Sequence, residues 1–82
     1  MAFRNCGDLV LDLSLETNPD IYEVLPDQQV VIHAICAPET SLRAMFVEWY
    51  PDGVNVYPPG LGSQCEDFFV MLDGVRLAPK NR

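Results

Sequence analysis

The sequence predicts an all-β protein, a small single-domain β-sandwich or barrel of six to seven short antiparallel strands over residues 1–82. Three observations carry that expectation. Apolar residues recur at period two in several short runs, Gly and Pro punctuate the chain between those runs, and the one helix-like stripe competes with an equally short strand reading.

The first run is Asp8 to Glu16, where Leu9, Leu11, Leu13 and Leu15 alternate with Val10, Asp12 and Ser14, the signature of a half-buried strand. Thr17-Asn18-Pro19-Asp20 then supplies turn chemistry. Ile21 to Leu25 reads as a short edge strand, stopped by Pro26 and Asp27. In Gln28 to Ala37, Val30, Ile32, Ala34 and Cys36 share one face, and Val31, His33 and Ile35 share the other. Both faces are largely apolar, which predicts a central strand covered on both sides and ended by Pro38.

Residues 40–50 admit two readings. Leu42, Met45, Phe46 and Trp49 fall at helical spacing behind a Thr40 or Ser41 cap, whereas a strand would alternate Met45, Val47 and Trp49 with Phe46 and Glu48. The strand is preferred because a turn and a second alternating run come directly after it. Tyr50-Pro51-Asp52-Gly53 is a turn with Pro at its second position and Gly where positive φ is wanted, and Val54-Asn55-Val56-Tyr57 alternates again. Pro58 to Ser63 is a Pro- and Gly-rich loop. Asp67 to Leu72 then passes through Asp73-Gly74, a strong hairpin signal, into Val75-Arg76-Leu77. Asp52 to Pro58 and Asp73 to Pro79 both read Asp-Gly-Val-x-apolar-x-Pro. Their flanks differ, so shared turn chemistry is expected rather than a duplicated unit.

With 82 residues, a domain buries only about 60–65% of its unfolded surface, and its core is marginal unless something reinforces it. Twelve acids against five bases give a net charge of −7. That field disfavours direct nucleic-acid binding and anionic membranes, and suits a basic partner or plain solubility. No apolar signal core follows Met1-Ala2-Phe3-Arg4, and Val30 to Ala37 is too short to span a bilayer. Synthesis in a reducing cytoplasm is therefore expected, with incorporation in a virion one destination. Cys6, Cys36 and Cys65 form an odd set without a CxxC pair, and buried free thiols are the expected state. A Cys6–Cys65 or Cys36–Cys65 disulfide is the alternative for a protein that works outside the cell.

His33 with the three cysteines could in principle satisfy zinc, but no two cysteines are close, and His33 and Cys36 face opposite ways on a regular strand. The same residues lack the orienting group that a Cys–His nucleophile needs. No GxSxG, HExxH, Walker loop or GxGxxG occurs. The expectation is no enzyme, no cofactor and no metal. The suggestive group is aromatic: Trp49, Tyr50 and Tyr57 around Pro51, Pro58 and Pro59. Trp49 is expected to plug the core, with Tyr50 and Tyr57 exposed, so the partner-binding set is Tyr50, Pro51, Tyr57, Pro58 and Pro59.

Val47-Glu-Trp-Tyr-Pro-Asp-Gly-Val-Asn-Val56 resembles the third strand and following turn of immunoglobulin-type domains, and Gln28 to Cys36 is similar to the strand before it. The resemblance spans residues 28–56, about a third of the chain. It implies a reduced immunoglobulin-like sandwich and no function. No Tyr-x-Cys precedes the end, so it implies no disulfide partner for Cys36.

The functional expectation is a non-enzymatic protein-interaction or structural module, a subunit of an assembly such as a viral capsid or tail decoration, contacting other protein subunits as a homo- or hetero-oligomer. One alternative is an acidic inhibitor or immunity-type protein that presents Asp8, Asp12 and Glu16 to a basic, nucleic-acid-handling target. Another is a small sugar- or ligand-binding module that uses the tyrosines.

Overall fold

Short alternating runs can bury their apolar faces only by pairing side by side, and the chain does so in two layers. The computed structural model describes residues 1–16, 19–37, 44–60 and 65–82. Along them run eight strands and no helix: β1 (Ala2–Arg4), β2 (Leu11–Leu15), β3 (Asp20–Val24), β4 (Gln29–Cys36), β5 (Phe46–Tyr50), β6 (Gly53–Tyr57), β7 (Cys65–Leu72) and β8 (Val75–Arg76). One sheet has the order β1-β4-β7-β8, antiparallel throughout. The other has the order β3-β2-β6-β5, and its central neighbours β2 and β6 run parallel. Two expectations are corrected here. The additional strand is β1, three residues that are too short to show a period. The parallel pair joins strands far apart in sequence, and no local signal encodes that.

The core takes side chains from both sheets: Phe3, Leu13, Leu15, Tyr22, Val24, Val30, Ile32, Val54, Val56 and Val70. Leu13 and Leu15 are buried as their alternation requires, but Leu9 is 76% exposed. The leucine pattern starts before the ladder does. Pairing with β3 begins at Leu11 and pairing with β6 at Asp12, so Leu9 has no neighbouring strand to hold it on the core face. β3 is an edge strand, as expected. β4 is central, as expected, but it is covered on one side only. Val30 and Ile32 point inward, while Val31, His33 and Ile35 stand exposed beside Met71 and Phe69 of β7. Among the described residues no further layer lies over them. β5 is a strand, and the part of the helical alternative that covers residues 40–43 falls outside the described residues.

The two Asp-Gly turns differ. Asp73 (φ 50°) and Gly74 (φ 79°) are both left-handed, the geometry that suits a two-residue hairpin in a twisted sheet. Gly53 is instead an ordinary strand residue opposite Tyr50. Its requirement is proximity, since a Cβ there would lie 2.5 Å from the backbone oxygen of Asp12 on β2. The repeated phrase therefore reflects neither duplication nor shared turn chemistry.

Three devices reinforce the thin core. Cys36 and Cys65, opposite one another on β4 and β7, form a disulfide across 29 residues of sequence, and the third thiol, Cys6, is exposed. The expected buried free thiols are thus replaced by the Cys36–Cys65 alternative. Asn5, the one buried polar side chain among the described residues, donates to the carbonyls of Leu9 (2.8 Å) and Val24 (2.9 Å) and accepts from the Gly7 amide (3.0 Å). That satisfies most of its amide, as burial demands. Last, the C-terminal residues strap β3. The Lys80 amide donates to the Ile21 carbonyl (2.7 Å), and the Ile21 amide donates to Asn81 Oδ1 (3.0 Å).

Two outcomes are expected. In urea denaturation, Gly53→Ala should cost about 2–3 kcal/mol through overpacking against rigid backbone, and Gly74→Ala only about 1–2 kcal/mol for its left-handed φ. Equal costs would contradict the close approach of β6 to β2. Thiol titration of the unreduced native protein should count one reactive cysteine, and reduction should lower stability by about 3–4 kcal/mol for a loop of this length.

Candidate partner-binding face

β5 reads Phe46-Val47-Glu48-Trp49-Tyr50, and its register against β6 sorts these side chains. Val47 and Trp49 oppose the buried Val56 and Val54 on the core side. Phe46, Glu48 and Tyr50 oppose Tyr57, Asn55 and Gly53 on the outer side. Phe46 is 62% exposed and Tyr50 48%. Trp49 corrects the expectation of a core plug, since it is 66% exposed. Its position is inward, but β5 is the last strand of its sheet. An inward side chain there reaches the rim rather than the centre, and the indole leans on Phe3 of β1 with ring centroids 5.5 Å apart.

Glu48 organises the outer side. Tyr57 Oη donates to its carboxylate at 2.6 Å and Tyr50 Oη at 3.4 Å, while the Phe46 ring tilts against Tyr57 at 5.7 Å. The hydrogen bond to Glu48 pushes the Tyr57 phenol up to about 12, with burial and the negative charges of Glu48 and Glu16 adding to it. Further along the same face lie Asp12 and Ser14 of β2 and Glu23 of β3, and just past the end of β2 the Glu16 amide donates to the Val56 carbonyl at 2.8 Å. A shallow depression of about 150 Å³ runs between Asp12, Ser14, Tyr50, Asp52 and Asn55. Lys80 contacts two of these acids, Asp12 at 2.7 Å and Glu23 at 3.4 Å, and the bond to Asp12 is the main reason its ammonium is held above the usual lysine value.

Of the residues expected to bind a partner, Tyr50 and Tyr57 are joined through Glu48, and Pro51 stands exposed in the adjoining turn. Pro58 and Pro59 are buried and take no part in the face. Pro58 instead lines a polar cleft of about 430 Å³ with Glu16, Asp20, Asp67 and Arg76. Phe46, Glu48 and Trp49 were missed. Period two already grouped Phe46 with Glu48, and only the edge position of the strand was lacking. On the core side of the edge, Trp49, Pro51, Leu9, Leu11 and Cys6 border an open apolar hollow of about 360 Å³.

The other chemical candidates stand apart. His33 stacks on Phe69 at 5.2 Å, with the Arg76 guanidinium 4.2 Å from the same ring. Arg76 forks onto Asp67 at 2.7 and 3.0 Å, and that bond holds the Asp67 carboxyl below its usual value. Among the described residues no three His, Cys, Asp or Glu side chains are grouped to hold a metal ion.

Comparison with protein-family models, with curated proteins and with solved structures finds no match.

The Tyr57–Glu48 bond has a pH signature. The phenol's ordinary value is 10.0 and its folded value about 12, so the bond stabilises the fold fully below pH 10.0 and that contribution is lost as pH rises through about 12. Tyr22 also titrates late, because burial and then Asp20 raise it. In an alkaline absorbance titration, Glu48→Gln should therefore bring one phenol, and only one, down towards 10.0. An unchanged titration would break the assignment.

Proposed function

We propose that this chain is a non-enzymatic protein-interaction module, a subunit of a larger assembly that docks its partner along β5. One asymmetry carries the reading. In the same sheet, the edge at β3 is strapped at Ile21 by Lys80 and Asn81, whereas among the described residues no backbone pairs with the outer edge of β5. That open edge carries three exposed aromatics, Phe46, Trp49 and Tyr50.

An exposed strand edge with apolar side chains is an aggregation hazard, which proteins ordinarily blunt with Lys, Pro or a covering segment. Here the chain covers one edge and lines the other with the residue types that dominate interface energetics. Trp and Tyr bury large areas at little entropic cost, and Phe3 beneath Trp49 already fixes the indole.

A photo-crosslinking residue at position 46 should capture a protein partner, and one at exposed Val75 on the other sheet should not. Trp49→Ala and Tyr50→Ala should each weaken the captured complex by about 2 kcal/mol, at a cost to folding of about 1 kcal/mol or less because both side chains are exposed. Equal capture at both positions, or a complex indifferent to both substitutions, would remove β5 as the docking edge. Trp49 is the only tryptophan, so its emission reads the site directly.

A further inference from the structure

We infer that the segment received by β5 is an extended, basic stretch of another protein, added as a further strand, with basic residues alternating with apolar ones; this rests on the docking edge proposed above. The alternation follows from strand geometry. Residues of an added strand sit directly across from those of β5, about 4.5–5.5 Å away between Cβ atoms. Every second residue would therefore face Phe46, Glu48 and Tyr50, and the ones between would face Val47 and Trp49.

The two sides ask for different chemistry. On the outer side, Glu48 is the central residue of β5, and Asp12, Glu23 and Asp52 lie farther along the same face or its border. Lys80 is the cation that bridges two of them. A carboxylate offers about four acceptor sites, and Tyr57 and Tyr50 use two of those on Glu48 while holding it in place. A lysine or arginine from the added strand would take the remainder and could also lie over the exposed Phe46 or Tyr50 ring. On the core side, Trp49, Leu9, Leu11 and Pro51 border the apolar hollow, beside which a valine- or leucine-sized side chain of the added strand would pack against Trp49.

Charge also decides against a second copy of this chain as the occupant. Antiparallel pairing of two β5 strands over all five residues centres on Glu48 and sets it directly beside its own equivalent. Like charges directly opposite destabilise a pair, and each copy brings a net charge of −7. The same carboxylate that repels a second copy attracts a basic strand.

A short synthetic peptide alternating lysine and valine tests the inference on the intact chain, read by Trp49 emission and by amide exchange of β5. Expected are saturable binding that weakens with added salt, slowed exchange confined to β5 and its neighbours, and affinity at least about tenfold above that of an alternating glutamate–valine peptide. Glu48→Gln should weaken binding about two- to fivefold and Glu48→Lys by about tenfold or more. Circular dichroism checks that both variants fold, and the salt dependence of the unmodified chain stands whether or not they do. Preference for the acidic peptide, insensitivity to salt, protection elsewhere, or a dimer formed through β5 in light scattering would overturn the basic strand. If the peptide fails while crosslinks from position 46 still reach a partner, the docking edge survives and the basic occupant does not. If both fail, so does the docking edge.

Discussion

The parallel pairing of β2 with β6 is the constraint on which the remaining architecture hangs. It places Leu13 beside Val54 and Leu15 beside Val56, four side chains that are almost wholly buried. At about 1.5–3 kcal/mol for each buried aliphatic, these four contribute as much as the whole net stability of a typical domain, about 5–15 kcal/mol. The pairing in turn needs Gly53, where any side chain would meet the Asp12 carbonyl. Once β2 and β6 occupy the centre of their sheet, their hairpin partners β3 and β5 can only lie outside them. The edge position of β5, and with it the exposure of Trp49, is a consequence of how the centre was built.

Around that centre the chain distributes its supports unequally. Surface ion pairs contribute about 0–1 kcal/mol each, so Lys80–Asp12 and Arg76–Asp67 matter more for position than for stability. The C-terminal strap acts through the backbone, because Lys80 and Asn81 pair with groups at the margin of β3 that would otherwise face an incoming chain. The Cys36–Cys65 bridge ties β4 to β7 at the end of their ladder, next to the register shift at Ile35 and Cys36. The exposed outer face of β4 is occupied by its own cross-strand stack, in which Phe69 lies between His33 of β4 and Arg76 of β8.

How much of this the sequence disclosed depends on how local each determinant is. Period two located β2, β4 and β6 to within a few residues, turn residues bounded β3 and β7, and Asp73-Gly74 marked its hairpin because left-handed φ at both positions is a property of those two residues. Non-local facts were hidden. Nothing in Asp8 to Glu16 says where β6 will begin to pair, so Leu9 read as core and is exposed. Val31, His33 and Ile35 read as a second buried face because apolar character tells of compatibility with burial and not of a layer to supply it. The candidate face was half legible. Tyr50, Pro51 and Tyr57 were picked out by residue type, but Trp49 was assigned to the core and Glu48 was passed over. Which strand ends a sheet is decided by topology, and topology was the missing piece.

On the proposed reading, that edge is selective and not merely sticky. Leaving Phe46, Trp49 and Tyr50 about half or more exposed forgoes part of the roughly 1.5–3 kcal/mol that full burial of a large apolar side chain contributes, a real sacrifice for 82 residues. Lysine or threonine at the same positions would have made the edge safer at a cost to folding of about 1 kcal/mol or less. Glu48 gives the sacrifice a direction. A charge in the middle of an apolar strand interrupts self-association, the role such gatekeepers play elsewhere. Here it is held by two tyrosine hydroxyls rather than left to move freely in solvent. An edge meant only to stay unpaired has no use for an ordered carboxylate. One meant to admit a single kind of strand does, because the repulsion that turns away its own copies becomes attraction for a cationic one.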